Sequence, residues 1–149
     1  MGGTNVGTAD NCIMMGLQIA RLSEQTTEKL TRVLPAFGTA VGNPVDVGVG
    51  MLMPPQIYGD VIKILAGDES VDMLLAVTAP ESPLSVKRIA DAAKEIPKPL
   101  AVALFDIRGF VEQQMQLLLN QHIPAYTEAK RAAMALFKMA DYAERRARV

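Results

Sequence analysis

The chain has 149 residues, 50% of them apolar and 21% charged, with a formal net charge of −1 at pH 7. That length buries one core without disulfides, and the balance is that of a globular chain rather than a disordered one. The near-neutral charge argues against a basic nucleic-acid binder or a partner of anionic membranes, and the absence of Trp with only 5% aromatics argues against a stacking platform for single strands.

The single cysteine, Cys12, has no partner for an internal disulfide, and with the only histidine, His122, it falls short of a metal-ligand set. No run of about 18 apolar residues exists to cross a bilayer, and Met1-Gly2-Gly3-Thr4-Asn5 lacks a signal-peptide pattern. The expectation is one cytoplasmic domain over residues 1–149, with no metal, no nucleic acid and no membrane.

In chain order, Gly2-Gly3-Thr4-Asn5-Val6-Gly7-Thr8 reads as a turn between a strand and a helix, Ala9 to Met15 as that helix, and Gly16 as its stop. No strand precedes Gly2, although the first strand of a doubly wound sheet normally lies in its middle. Leu17 to Ala20 and Pro44 to Val47 are weak strands, as is Pro124 to Tyr126. Ser23 caps a helix from Glu24 to Leu34, and Pro54-Pro55 opens one that Gly67 closes after Ala66. Met73 to Thr78 and Leu100 to Leu104 are strong strands, apolar on both faces as strands between two helical layers must be. Between them Ser82 caps a helix from Pro83 to Ile96 with Val86, Ile89, Ala90 and Ala93 on its apolar stripe. Gly109 to Gln121 is helical. Thr127 caps the last helix, whose stripe is Ala129, Ala132, Ala133, Leu136, Phe137, Ala140 and Ala143, before a frayed Arg145-Arg146-Ala147-Arg148 tail. Strands alternating with helices predict a parallel α/β sheet.

The glycine-rich start is the leading candidate site. Glycines admit close backbone approach, and a following helix directs free N–H groups and its positive dipole end at an anion. The backbone N–H groups of Gly3 to Gly7 would cradle a phosphate, with Thr4 and Thr8 hydroxyls as further donors; the competing reading is a flexible chain start. Asn43-Pro44-Val45-Asp46 is the second candidate, with Asp46 at a strand end, or else an Asx turn fixing that strand. Asp106 and Arg108 follow a strand and either face a ligand or cap the Gly109 helix. His122 reads as a solvent-facing loop residue. Cys12 reads as a small buried hydrophobe, unless an anion site nearby lowers its thiol pKa. Met14, Met15, Met51 and Met53 read as gap-filling core or interface residues.

Taken in order, Gly2-Gly3-Thr4-Asn5-Val6, Ala9-Asp10-Asn11-Cys12 and Gly16-Leu17-Gln18-Ile19-Ala20-Arg21-Leu22-Ser23 resemble the start of a ligase domain in the NDP-forming acyl-CoA synthetases. These are the ADP-forming acetate–CoA ligases, relatives of succinyl-CoA synthetase. Leu34-Pro35, Asn43-Pro44-Val45-Asp46-Val47, Val71 to Leu75, Lys98-Pro99-Leu100, Ile123 to Tyr126 and Arg131-Ala132 keep the family's order, so the resemblance spans nearly the whole chain.

The resemblance implies a flavodoxin-like three-layer fold with a mainly parallel sheet, here with its first strand missing. It implies a fragment or one piece of a larger acid–thiol ligase that interconverts acyl-CoA, ADP and phosphate with free acid, CoA and ATP. The whole enzyme would use CoA, ADP or ATP, phosphate and Mg, none held by this domain alone. The partners implied are a CoA-binding domain, a domain bearing a phosphohistidine and an ATP-grasp domain, in an oligomer. The turn Gly2, Gly3, Thr4, Asn5, Val6 and Gly7 would be one of two helix starts that stabilise the phosphohistidine, with Asn43, Asp46 and Asp106 at the site's edge and no catalytic residue in this chain. Asn5 stands where the family usually has glycine, and Asn tolerates positive φ. Two other readings use the same fold: a non-catalytic interaction or oligomerisation module, with Met51-Leu52-Met53-Pro54 as its apolar patch, and a phosphoacceptor receiver domain. Thr78-Ala79-Pro80 and Tyr126-Thr127 supply neither the acidic acceptor nor the Lys that the receiver reading requires.

Overall fold

A computed structural model describes residues 2–48, 53–79, 83–106, 109 and 111–148. Six helices and three strands follow one another as α1 (Gly2–Met14), α2 (Glu24–Val33), α3 (Gln56–Ala66), β1 (Leu74–Thr78), α4 (Pro83–Ala93), β2 (Leu100–Leu104), α5 (Val111–Leu119), β3 (Ala125–Tyr126) and α6 (Ala129–Ala147) among the described residues. The strands form a parallel sheet in the order β1-β2-β3, with Leu74 opposite Leu100 and Val102 opposite Ala125.

The alternation along β2 determines what packs on each face, because successive side chains of a strand point opposite ways. Leu100, Val102 and Leu104 enter the larger core with Val86 and Ile89 of α4 and Leu118 of α5. Ala101 and Ala103 point to the other face, where Ala129, Ala132 and Leu136 of α6 meet them. Small residues on both sides let α6 lie close to the sheet. On the first face, α3 and α4 also approach closely at Gly59, where a Cβ would stand 3.2 Å from the Arg88 carbonyl oxygen.

Both strong strands form where the apolar runs predict them. Ser23 caps α2 as expected, its Oγ accepting from the Thr26 N–H, and Gly67 closes α3. Gly16 ends α1 with φ +96°. The Leu17 N–H donates to the Cys12 carbonyl at 3.0 Å and the Gly16 N–H to that of Ile13 at 2.9 Å, the paired bonds of a Schellman ending.

Several expectations are corrected. The glycine-rich start is not a turn; α1 runs without interruption from Gly2. Three glycines lower helix propensity by roughly 1 kcal/mol each, yet burial of Thr8 and Cys12 and packing of α1 on α6 outweigh that loss. Asn5 is therefore helical and does not take positive φ. Residues 17–20 pair with no strand among the described residues, and Pro44 to Val47 contributes only an antiparallel bridge between Asp46 and Ala40. Thr127 is not the cap of α6; Glu128 holds that position without a side-chain bond. Phe137 is half-buried and Ala143 exposed, because the helix outruns the sheet it covers. The Arg145 to Ala147 segment is helical rather than frayed, with Arg145 paired to Asp141 one turn earlier at 2.9 Å. Ser82, Arg108, Met51, Leu52 and Pro80, each singled out above, lie outside the described residues.

Candidate functional site

The two leading sequence candidates meet where α1 begins. The Asn5 side-chain amide donates to the Val45 carbonyl at 3.4 Å, and a methyl group added to Gly2 would lie 3.0 Å from Asp46 Oδ2. A larger residue at position 2 would push this carboxylate away. Asp46 is held from two sides. Its backbone exchanges both bonds with Ala40 at 2.9 Å, and its Oδ1 accepts from the Gly48 N–H at 2.9 Å. The latter bond is an Asx turn, as the competing structural reading of this segment supposed, but it follows an isolated bridge and does not fix the entrance of a strand. Asn43, joined to Pro44 by a cis peptide, donates its amide to the Ala20 carbonyl at 3.0 Å.

At the start of α1, Gly2, Gly3 and Thr4 carry N–H groups that no helical carbonyl can satisfy. Val6 and Gly7 fall beyond it. Their N–H groups, like that of Asn5, belong to the helical ladder, which narrows the candidate cradle to residues 2–4. Thr8 is no donor to a ligand. It is buried, and its hydroxyl bonds the Thr4 carbonyl at 2.8 Å. Among the described residues Asn5, Asn43 and Asp46 line one cavity, whereas Asp106 does not reach it. Asp106 instead accepts from the Gly109 N–H at 2.6 Å, but Gly109 has φ +75° and α5 begins only at Val111, so this bond closes a loop rather than capping the helix expected from Gly109.

Cys12 is buried near the far end of α1, and burial pushes its thiol pKa up rather than down. His122 is exposed, as expected, and has a structural role that its neighbours in sequence did not suggest. It takes φ +59° just after α5, with its N–H on the Leu119 carbonyl at 2.9 Å and the Ile123 N–H on that of Leu118 at 3.0 Å. This is a second Schellman ending, with histidine where glycine is usual. Met14 is 85% exposed and is not a core residue.

One residue escaped notice altogether. Asp68 is buried between the start of α2 and the loop entering β1. Its Oδ2 accepts from the Ser23 N–H at 2.8 Å and the Ser23 hydroxyl at 2.9 Å, and its Oδ1 from the Ser70 N–H at 3.0 Å and hydroxyl at 2.8 Å. The Thr26 hydroxyl, the Ser23 N–H and the Ser70 groups together hold the carboxyl well below the usual carboxylate range. The local signal was Asp68-Glu69-Ser70 after the Gly67 stop; the Ser23 partner, 45 positions away, had none. Among the described residues no group of three or more His, Cys, Asp or Glu side chains is fit for a metal, and no helix is long and apolar enough to cross a membrane.

Residues 1–148 match the family described as the Ligase-CoA domain. The chain belongs to that family. This Ligase-CoA domain is 31% identical over 150 residues to the alpha subunit of ADP-forming acetate–CoA ligase II from Pyrococcus furiosus, covering 96% of this chain and 32% of that one. A solved Pyrococcus horikoshii OT3 protein superposes with a TM-score of 0.82 at 32% identity, over 92% of this chain and 32% of the other. The dinucleotide-forming acetyl-coenzyme A synthetase 1 of Ca. Korarchaeum cryptofilum, solved with phosphate and ADP, gives a TM-score of 0.85 at 27% identity, over 99% of this chain and 32% of that one. The Ligase-CoA domain thus spans about a third of the length of each of these relatives, and its architecture is flavodoxin-like.

Proposed function

We propose that this Ligase-CoA domain works as one component of a cytoplasmic ADP-forming acyl-CoA synthetase, in which the start of α1 faces a phosphoryl group carried on a histidine of a partner domain. In this reading the whole enzyme converts acyl-CoA, ADP and phosphate to free acid, CoA and ATP. The partner domains bind CoA, carry the histidine and, as an ATP-grasp unit, bind the nucleotide. The domain's contribution is electrostatic. Free N–H groups of Gly2 to Thr4 and the positive end of the helix dipole lower the energy of a phosphoryl anion without supplying a titrating group. Val6 and Gly7 support that turn from within the helix, and Asn43 and Asp46 form its rim. Asp106, engaged with Gly109, is peripheral. The reading assigns Mg to the other domains.

The observation that carries the proposal is the family match over residues 1–148. A relative solved in complex with phosphate and ADP supports the same reading. The test is reconstitution: this chain is mixed with the remaining domains or subunits and acyl-CoA-dependent ATP formation is assayed. Formation should require this chain. An equal rate without it would refute the proposal.

A second reading, an oligomerisation module, draws on one observation. Val6, Ile13 and Met14 of α1 are 55%, 57% and 85% exposed, an unusual set of apolar side chains to leave on one helix. Strong self-association in light scattering, with no contribution to ATP formation, would favour it.

A further inference from the structure

The most exposed large apolar side chain among the described residues is Phe37, at 92%. It does not stand alone. Val33 at the end of α2, Pro35 and Ala36 are exposed beside it in sequence, while Leu34 is buried with Ile57 and Val61 of α3. One inward leucine thus anchors an outward ridge of four apolar residues. Scattered apolar side chains on a surface are ordinary, but a contiguous ridge ending in a bare phenyl ring is the kind of surface that partners bury.

The ridge is held in place. The Thr39 hydroxyl donates to the Pro35 carbonyl, and Gly38 turns the chain with φ +74°. The Gly38 carbonyl oxygen packs on Gly48 so closely that a Cβ there would stand 2.9 Å from it. Ala40 then exchanges both backbone bonds with Asp46 at 2.9 Å. A side chain presented on a fixed loop binds with little ordering cost. The same contacts fix where the ridge lies. Gly48 and Ala40 are the groups that hold Asp46, and Asp46 borders Gly2 at the start of α1. From Asp46 across the bridge to Ala40 and on to Phe37 the backbone spans at most about 16 Å. A standard interface, about 800 Å² per partner, has a radius of about 16 Å. A domain seated over Asp46 and the start of α1 reaches the Phe37 loop.

Resting on the phosphoryl reading above, we propose that Phe37 is the anchor by which the histidine-bearing domain docks on this one. Its ring enters an apolar pocket of that domain while the start of α1 meets the phosphoryl group. The loop supplies a rigid apolar contact and the helix start supplies the electrostatics, so attachment and anion stabilisation reside in different residues.

The experiment titrates the whole chain against the remaining domains or subunits of the enzyme and measures affinity by calorimetry. Phe37→Ser should weaken binding at least tenfold, and Phe37→Leu less than threefold. Met134→Ser, at an exposed apolar position of α6, should leave affinity unchanged. In the complex of the native chain, amide exchange at residues 36–38 should slow at least tenfold, a readout that needs no variant to fold. Failure to bind, a Phe37→Ser affinity within twofold of native, an equal loss from Met134→Ser, or unchanged exchange at residues 36–38 would overturn the proposal. A dimer of the isolated chain that Phe37→Ser abolishes in light scattering would assign the ridge to a second copy and likewise overturn it. The phosphoryl reading fails separately, by equal ATP formation without this chain; a complex that forms ATP with residues 36–38 unprotected refutes the docking alone.

Discussion

Asp68→Asn tests whether one buried carboxylate ties α2 to the sheet. In the native chain four donors converge on it beside the Thr26 hydroxyl, two from Ser23 and two from Ser70. Asparagine keeps one acceptor oxygen, which the Ser70 N–H and hydroxyl retain. Its amide nitrogen then faces the Ser23 N–H, donor against donor. Two bonds to a charged group are lost, each worth about 1.5–3 kcal/mol, so urea melts at pH 7 should show a loss of about 3–5 kcal/mol. That is a large fraction of the roughly 5–15 kcal/mol typical of a domain. The pH dependence supplies the sign. The folded-state pKa of Asp68 lies below its unfolded value of about 3.9. Its contribution is therefore complete above about pH 5 and falls away as pH drops through 3.9 toward the folded value. The gap between native and variant proteins should be flat from pH 8 to 5 and narrow steadily below pH 4. A gap under about 1 kcal/mol at pH 7, or one that stays constant to pH 2.5, would show that the four bonds do not anchor the charged form.

Leu136→Ala, which empties a 3%-exposed position between α6 and the sheet, should cost about 2–5 kcal/mol in denaturant melts. A cost below about 0.5 kcal/mol would contradict its burial. His122→Gly should stabilise by about 0.5–1 kcal/mol, because glycine takes φ +59° without the steric cost that any Cβ carries; a lower melting temperature would count against the Schellman ending. Phosphate titrated into the isolated chain should shift the amide resonances of residues 2–4 at millimolar concentrations, about 4 kcal/mol of binding, and Gly3→Val should weaken it. Shifts confined to other residues would move the anion site away from α1.

What was legible in the sequence follows from where the determining contacts lie. β1 and β2 were readable because burial between two helical layers makes a strand apolar on both faces, and each run sits between breakers in the chain. The ends of α1 and α3 were readable because Gly16 and Gly67 act within one turn. The start of α1 was not. Gly2, Gly3 and Gly7 argue locally for a turn, and the packing on α6 that makes them helical comes from residues more than 120 positions away. Asp68 was missed for the same reason, since half its shell is Ser23. His122 in a glycine conformation leaves no local trace, because nothing in its own chemistry demands it. At the candidate site, the structure brings together the two segments singled out from the sequence, Gly2 to Asn5 and Asn43 to Asp46. Which donors remain uncommitted depended on side-chain bonds, such as Thr8 to Thr4, that only coordinates reveal.

The position of Asp46 bears on how such a site would work. A carboxylate close to Gly2 already satisfies part of the positive end of α1, the arrangement that favours acidic groups at helix starts. An incoming phosphoryl group would meet both the free N–H groups and a like charge. In the isolated chain water screens both effects, and the net attraction is small. Covering the site with a partner domain strengthens attraction and repulsion together, so binding depends on how far Asp46 stays drawn toward Gly48 and Ala40. The Asx turn and the backbone bridge are the restraints that keep it there. In the proposed site the segment from Asn43 to Gly48 would thus govern the electrostatics of α1 without any of its side chains needing to touch the anion.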